Sequence, residues 1–392
     1  MNKFLATLCL AAGVFTFVAC SSDSDDNGGE SIAQPTESPK NYVTVDGLTL
    51  SANHRFVVAD NNTEVTFKVT KNGVDVTNSS TIYYQNGDDN VKVENNSFVC
   101  SNAGAYKFWA SNKTTNTRNN LLIVDALHAL PTLAADSQVN SDDFLRNVLL
   151  LQATGVTCQY CPNAITAIKN FYAKNADADR FKLMTVHTFT SGDPLWSEGA
   201  EKLRIQAGIS SYPTLLLNYN SEWLGSSMNS TGFENFLNNA AASLLKDNAE
   251  TGISIATKYN PENGVISVNA AIKCDDPNKY RVTAALLQDN VFFRQTGTSD
   301  PSFYIHEAGV KAISPATGAG FALNNGDVTT ENATYDFACE FNANALYAKG
   351  TGEYALDVVR DARVMIYVQA NGKLVDNVAV CGMNQKVGFA YE

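Results

Sequence analysis

The chain has 392 residues, 44% of them hydrophobic and 17% charged, and its 28 basic and 40 acidic side chains give a formal net charge of −12. At roughly 100–200 residues per domain that length calls for two or three domains, and 20 Phe, 16 Tyr and 3 Trp supply enough apolar bulk to exclude a wholly disordered chain. No basic patch accompanies the acidic balance, which sets nucleic acid aside as a partner, and the one long apolar run sits at the N-terminus, which excludes a polytopic membrane protein.

The N-terminus reads as an address. Lys3 precedes an uncharged apolar stretch, residues 4–18, that is too short for a stable span and fits a secretory signal. Ala19 then stands before Cys20, and this end of the run resembles a lipobox, so residues 1–19 are expected to be removed and Cys20 to carry lipid. Phe17 departs from the Leu or Val that such a box usually has three residues before its Cys. Residues 20–40 open with Cys20 and SSDSDDNGGE, cannot bury a core, and are expected to form a flexible acidic tether. An acidic run directly after an acylated Cys resembles the surface-export signal of lipoproteins in some Gram-negative outer membranes; otherwise it is a solvated spacer. Either way the expected location is the outer membrane, on the cell surface or the periplasmic face. Lipid must do the anchoring, because an acidic chain gains nothing from anionic headgroups.

Residues 41–126 alternate apolar and polar in short runs separated by Asp46-Gly47, Asn72-Gly73 and Asn86-Gly87, the pairs that favour tight hairpins. Some seven strands in that length predict a small β-sandwich. The stretch SNAGAYKFWAS resembles the penultimate-strand region of bacterial immunoglobulin-like domains. Residues 127–143 read as a linker. The pattern then changes to buried strands at 148–151, 181–186 and 214–219 and helices at 162–172, 195–207 and 233–245, the last with Ser230 or Thr231 as N-cap. This alternation over residues 144–248 predicts an α/β layer. Residues 249–392 return to strands and read as a second β-sandwich, interrupted by a long, Gly-rich, irregular insertion at 296–325.

Chemistry concentrates in Cys158-Gln159-Tyr160-Cys161, between a buried strand and an amphipathic helix. Unpaired N–H groups and the positive end of a helix dipole favour thiolate at such a position. Cys158 is then the attacking thiol and Cys161, one turn on, the resolving thiol. Pro162 suits the first helical turn, where its missing N–H costs nothing.

Here the segment resembles the thioredoxin fold, with CxxC at a helix start and a later Tyr212-Pro213 before a strand. More closely, TGVTCQYCPNA, VHTFTSGDPL, GISSYPTLLLN and SFYIHEAGVK resemble the thioredoxin-like outer-membrane lipoprotein family named for a 28-kDa outer membrane protein, over about residues 144–392. The resemblance implies a cis bond before Pro213 facing the CxxC, with Tyr212 pairing backbone groups with a bound peptide and Gln159 and Tyr160 beside the substrate. It also implies partners among extracytoplasmic protein thiols or disulfides. Two positions depart from it. Thr157 replaces the usual aromatic before the first Cys, and Gln152 replaces a buried carboxylate six residues before it. Gln cannot accept a proton at neutral pH, so reductant turnover is expected to be slow unless another group serves; His187 is the nearby candidate, with a structural hydrogen-bonded His the plain alternative.

Three uses of the CxxC compete: a redox-active dithiol, a structural disulfide on a binding scaffold, and a metal site. The last lacks the further ligands it needs, so no metal and no cofactor beyond the disulfide is expected. Cys100, Cys274, Cys339 and Cys381 read as core thiols, with pairing of Cys381 left open. His306 and Glu307 lie in a stretch that the family resemblance marks, without a mechanism of their own. No GxSxG, HExxH, Walker or EF-hand pattern is present. The expected protein is a lipid-anchored thiol–disulfide exchange protein; the alternative is a surface binding or adhesion lipoprotein whose β-sandwiches take protein or glycan.

Overall fold

The computed structural model describes residues 41–226 and 229–392. The signal, Cys20 and the tether therefore lie outside the described residues. The chain is rich in β-structure and forms several sheets.

Residues 41–127 make two sheets facing each other across one core. One holds Asn41–Val45, Leu48–Ala52, Glu64–Lys71, Val74–Asp75 and Ser97–Val99. The other holds Phe56–Val58, Leu122–Leu127, Gly104–Asn112, Thr81–Asn86 and Asp89–Lys92, with Thr115–Asn116 at its side. Their alternate residues, Leu48, Leu50, Val65, Phe67, Phe108, Ala110 and Val124 among them, fill the space between. Asp46-Gly47 and Asn72-Gly73 adopt positive φ at both positions and close the hairpins at which they were read.

The stretch read as a linker is pinned rather than free. The Lys273 amine donates to the carbonyls of Val139 and Ser141, and Asn269 to that of Pro131.

The central region is a nine-stranded mixed sheet. Its order is Leu224–Gly225, Thr214–Leu217, Val148–Thr154, Phe181–His187, Gly309–Ser314, Tyr280–Gln288, Ala362–Ala370 and Leu374–Gly382, with Phe321–Ala322 at its side. This corrects the boundary drawn at residue 248, because strands from both sides of it hydrogen-bond into one sheet. The join is Gly309–Ser314, a strand inside the stretch read as irregular, and it pairs Thr185 with Gly309 on one side and Gln288 with Gly309 on the other.

Three helices cover the half of this sheet that holds Thr214–Leu217, Val148–Thr154 and Phe181–His187. α1 (Cys161–Lys174) and α3 (Ser230–Leu244) pack Ala164, Ala167, Ile168, Phe171, Phe233 and Leu237 on Val148, Leu150, Leu215 and Leu217. α2 (Glu198–Gln206) covers the opposite face through Ala200 and Leu203 on Leu149, Leu151 and Val186. The N-cap of α3 is Asn229 rather than Ser230 or Thr231, its side chain accepting from the Gly232 amide. A four-stranded sheet (Ala333–Asn342, Val265–Cys274, Thr251–Asn260, Lys386–Val387) packs on the far half of the long sheet. The C-terminal sandwich thus borrows one of its two layers from the central sheet. Among the described residues no helix is long and apolar enough to cross a membrane.

Candidate functional site

The site grows from the carboxyl ends of two parallel strands. Along Val148–Thr154, Val148 and Leu150 face α1, so the period of two puts Gln152 and Thr154 on the same face. In Phe181–His187, Phe181 and Leu183 do likewise, followed by Thr185 and His187. The parallel register sets Leu150 beside Leu183, Gln152 beside Thr185 and Thr154 beside His187. Both strands turn from apolar to polar where α/β sheets hold ligands.

Beyond Thr154 the chain turns through Gly155 and Val156 into the CxxC. The Cys158 amide donates to the Gly155 carbonyl at 3.0 Å, and that of Cys161 to the Cys158 carbonyl at 3.4 Å. Cys158 and Cys161 form a disulfide with Cα atoms 5.4 Å apart. Cys161 opens α1, Pro162 follows, no side chain caps the helix and no acidic residue lies in its first turn. The positive end of α1 is therefore left for the sulfurs, which favours thiolate on the Cys released when the bond opens.

The loop after His187 buttresses this turn. The Asp193 carboxylate accepts from the Val156 amide at 2.7 Å, from the Leu195 amide at 2.9 Å, and faces His187 Nδ1 at 3.0 Å. Burial alone would raise the Asp193 carboxyl, but these hydrogen bonds hold it below the usual carboxylate range. His187, the candidate proton-transfer residue, is buried with Nδ1 on Asp193. The Tyr212–Pro213 bond is cis. Pro213 precedes Thr214, which pairs with Ala153, and so lies at the same end of the sheet as the CxxC turn. The Tyr212 hydroxyl meets Thr188 Oγ1 at 2.8 Å and its ring stands edge-on to Phe189 at 5.4 Å. Gln159 is exposed, and Tyr160 and Phe189 are 46% and 44% exposed.

The disulfide itself is not exposed: Cys158 is 2% accessible. Residues 293–298 lie across the turn. Gln295 is fully buried, and its side-chain amide donates to the carbonyls of Gly155 at 3.2 Å and Cys158 at 3.1 Å. The Thr296 amide donates to the Val156 carbonyl at 2.8 Å. Gly297 has φ +88°, and a Cβ there would sit 2.0 Å from the Gln159 carbonyl oxygen. Behind the cover, His306 Nε2 meets the Phe293 carbonyl at 2.9 Å, and its ring stands 5.3 Å from that of His187. Burial, and then His187, lower the His306 pKa to about 4, so Nε2 carries the proton it donates to Phe293.

The structure thus gathers Cys158, Cys161, Tyr160, Gln159, Tyr212, Pro213 and His187 around one end of the sheet. Sequence reading missed Asp193 and Gln295. Asp193 lies in the quoted TSGDPL stretch, where Asp-Pro hints at a turn; Gln295 has no local signal. Cys100, Cys274, Cys339 and Cys381 are free and buried. Among the described residues no group of three or more His, Cys, Asp or Glu is placed to hold a metal ion.

No protein-family model matches the chain, and no curated protein sequence matches it. Among solved structures, HBP35 of Porphyromonas gingivalis is similar with a TM-score of 0.50 and 19% identity, over 62% of this chain and 77% of that one. Similarity at that identity is a similarity of fold.

Proposed function

We propose that this protein passes disulfides to extracytoplasmic proteins through Cys158 and Cys161, from a thioredoxin-like central region flanked by an immunoglobulin-like sandwich and held at the outer membrane by lipid on Cys20. The observation that carries the reading is the Cys158–Cys161 bond set at the uncapped N-terminus of α1. Exposed Tyr160 and Phe189 beside it suit a protein client.

In the step, a client thiolate attacks Cys158 Sγ and the Cys158–Cys161 bond breaks. Cys161 leaves with the electron pair as a thiolate facing the α1 N-terminus. A second client thiolate attacks the client sulfur of the mixed disulfide and releases Cys158. The client loses two electrons and two protons, and the chain gains both as a dithiol. In the reverse direction the Cys161 thiol must lose its proton before it can resolve a mixed disulfide. Gln152 stands where the resembled fold keeps a carboxylate and cannot take that proton. Lacking that base slows exchange in both directions; it is the α1 N-terminus that, by stabilising the released thiolate, favours the reduced chain and so donation of a disulfide.

A second reading, a binding scaffold stabilised by an inert bridge, is favoured by the cover over Cys158. Equilibration of the mature, unlipidated chain with glutathione buffers separates the two, with Cys158→Ser as control. A potential between about −270 and −120 mV with fast exchange supports transfer; one below about −300 mV with slow exchange leaves the bridge structural.

A further inference from the structure

A cavity of about 490 Å³ lies beside α1, within the roughly 300–1,000 Å³ range of small-molecule sites. Ile165, Ile168 and Ala173 of α1 line it, with Leu183 and Ile305 opposite. Residues 165 and 173 are eight apart, so the cavity runs about 12 Å along the helix axis at ~1.5 Å per residue. Ala173, Lys169 and Ile305 are exposed and mark its mouth. Its floor is the polar end of the two parallel strands, Gln152, Thr154, Thr185 and His187.

Two floor atoms lack partners. Gln152 and Thr154 are each 3% accessible, and Gln152 Nε2 and Thr154 Oγ1 are buried without a hydrogen bond. Two neighbouring orphans at the bottom of an apolar cavity are a recognition pattern, since an unmet buried donor costs stability until something meets it. The Gln152 amide nitrogen only donates, and a threonine hydroxyl can, so the atom they await is an acceptor.

Charge decides which acceptor. The cavity's one cationic side chain is Lys169, exposed and donating to the Ser302 carbonyl at 2.8 Å. Glu307 stands in the lining, and Asp193 backs His187. An anion on the floor would be buried without a counter-charge.

We infer that this cavity binds an elongated apolar molecule ending in a neutral carbonyl, an amide or ester, which accepts hydrogen bonds from Gln152 Nε2 and Thr154 Oγ1. The inference does not rest on disulfide transfer.

The test is calorimetric titration of the unlipidated, disulfide-intact chain with decanamide, and with decanoate for comparison, at pH 7.5. Decanamide is expected to bind saturably, with decanoate at least tenfold weaker. Gln152→Leu keeps the volume and removes the donor, and is expected to weaken decanamide about tenfold. Ala173→Trp, on the exposed side of α1, places a ring at the cavity's end and is expected to weaken it at least as much. The Cys158→Ser, Cys161→Ser double variant is expected to bind as the parent does, so loss of disulfide transfer and loss of binding are separate results. Absence of saturable decanamide binding overturns the inference. So does decanoate binding as tightly as decanamide, or binding indifferent to both Gln152→Leu and Ala173→Trp.

Discussion

The Gln295 side-chain amide donates to the backbone carbonyl of Cys158 at 3.1 Å, so a residue 137 positions downstream holds the turn that carries the disulfide. The same amide reaches the Gly155 carbonyl, while Gln295 Oε1 is buried without a partner. The amide also lies 3.1 Å from the Thr296 carbonyl, so its two N–H groups are shared among three acceptors while its own acceptor is unmet. Replacement by Ala removes two hydrogen bonds worth about 0.5–1.5 kcal/mol each. Since 1.4 kcal/mol is about tenfold in an equilibrium, the roughly 1–3 kcal/mol that Gln295→Ala removes is expected to speed reduction of Cys158–Cys161 by dithiothreitol about 5- to 150-fold. An unchanged rate would show that access to the sulfur is not limited by this loop.

Gly297 tests the same cover from the backbone. Its φ is +88°, and a Cβ would lie 2.0 Å from the Gln159 carbonyl oxygen, which is main chain and cannot swing aside. Gly297→Ala is expected to lift residues 293–298 while leaving the sheet intact. Amide hydrogen exchange reads this directly. The Thr296 amide, bonded to the Val156 carbonyl, should lose protection, and amides of Val148–Thr154 should keep theirs. Equal loss at both places would mean that the loop is part of the global core rather than a local unit.

The parts of the fold written in short-range signals were legible before the structure. Asp46-Gly47 and Asn72-Gly73 close hairpins because their own residues tolerate positive φ. Cys161-Pro162 starts a helix because proline fits a first turn. The cover was not legible, because Gln295 acts on carbonyls more than 130 residues away and nothing in its neighbours marks it. The shared sheet was hidden for a related reason. Gly309–Ser314 is six residues long, begins with Gly and is joined to Phe181–His187 by one residue pair, so its identity as a strand comes from partners on both sides. His306 and Glu307 stood out only by resemblance; their physical roles needed the loop and the cavity around them.

His306 gives the molecule a pH dependence whose sign follows from its burial. Its pKa is lowered to about 4 from 6.5, so between those values the unfolded chain binds the extra proton and stability rises with pH. The contribution is present above about pH 6.5 and is lost as pH falls toward 4, amounting to about 2 kcal/mol between pH 7.5 and pH 5. Glu307 is shifted upward, mainly by burial and then by Asp289, which acts in the opposite sense; its side chain is exposed, so solvent screens that effect. Comparing His306→Gln with the parent isolates the histidine. Urea unfolding at both pH values should show the parent losing about 2 kcal/mol more than the variant on acidification. Equal losses would mean that the His306 ring reaches water in the folded state.

The remaining thiols should be silent in any redox titration. Burial pushes Cys100 up to about 11, Cys274 and Cys339 to about 12, and raises Cys381 as well. Thiolate is the reactive form, and at pH 8 these four hold little of it behind walls of packed side chains. Their contrast is with Cys158 and Cys161, which are buried as well but lie at the uncapped start of α1 under the local cover of residues 293–298 rather than inside a core between sheets. Of the six cysteines beyond residue 20, the native reduced protein should therefore take iodoacetamide on that pair alone. Intact mass should rise by no more than two labels, both mapping to one peptide, and Gln295→Ala should take them faster than the parent. Native labelling at Cys274 or Cys339, between the four-stranded sheet and the long one, would mean that the two layers part on the timescale of the reaction. The potential measured for the protein would then no longer belong to a single couple.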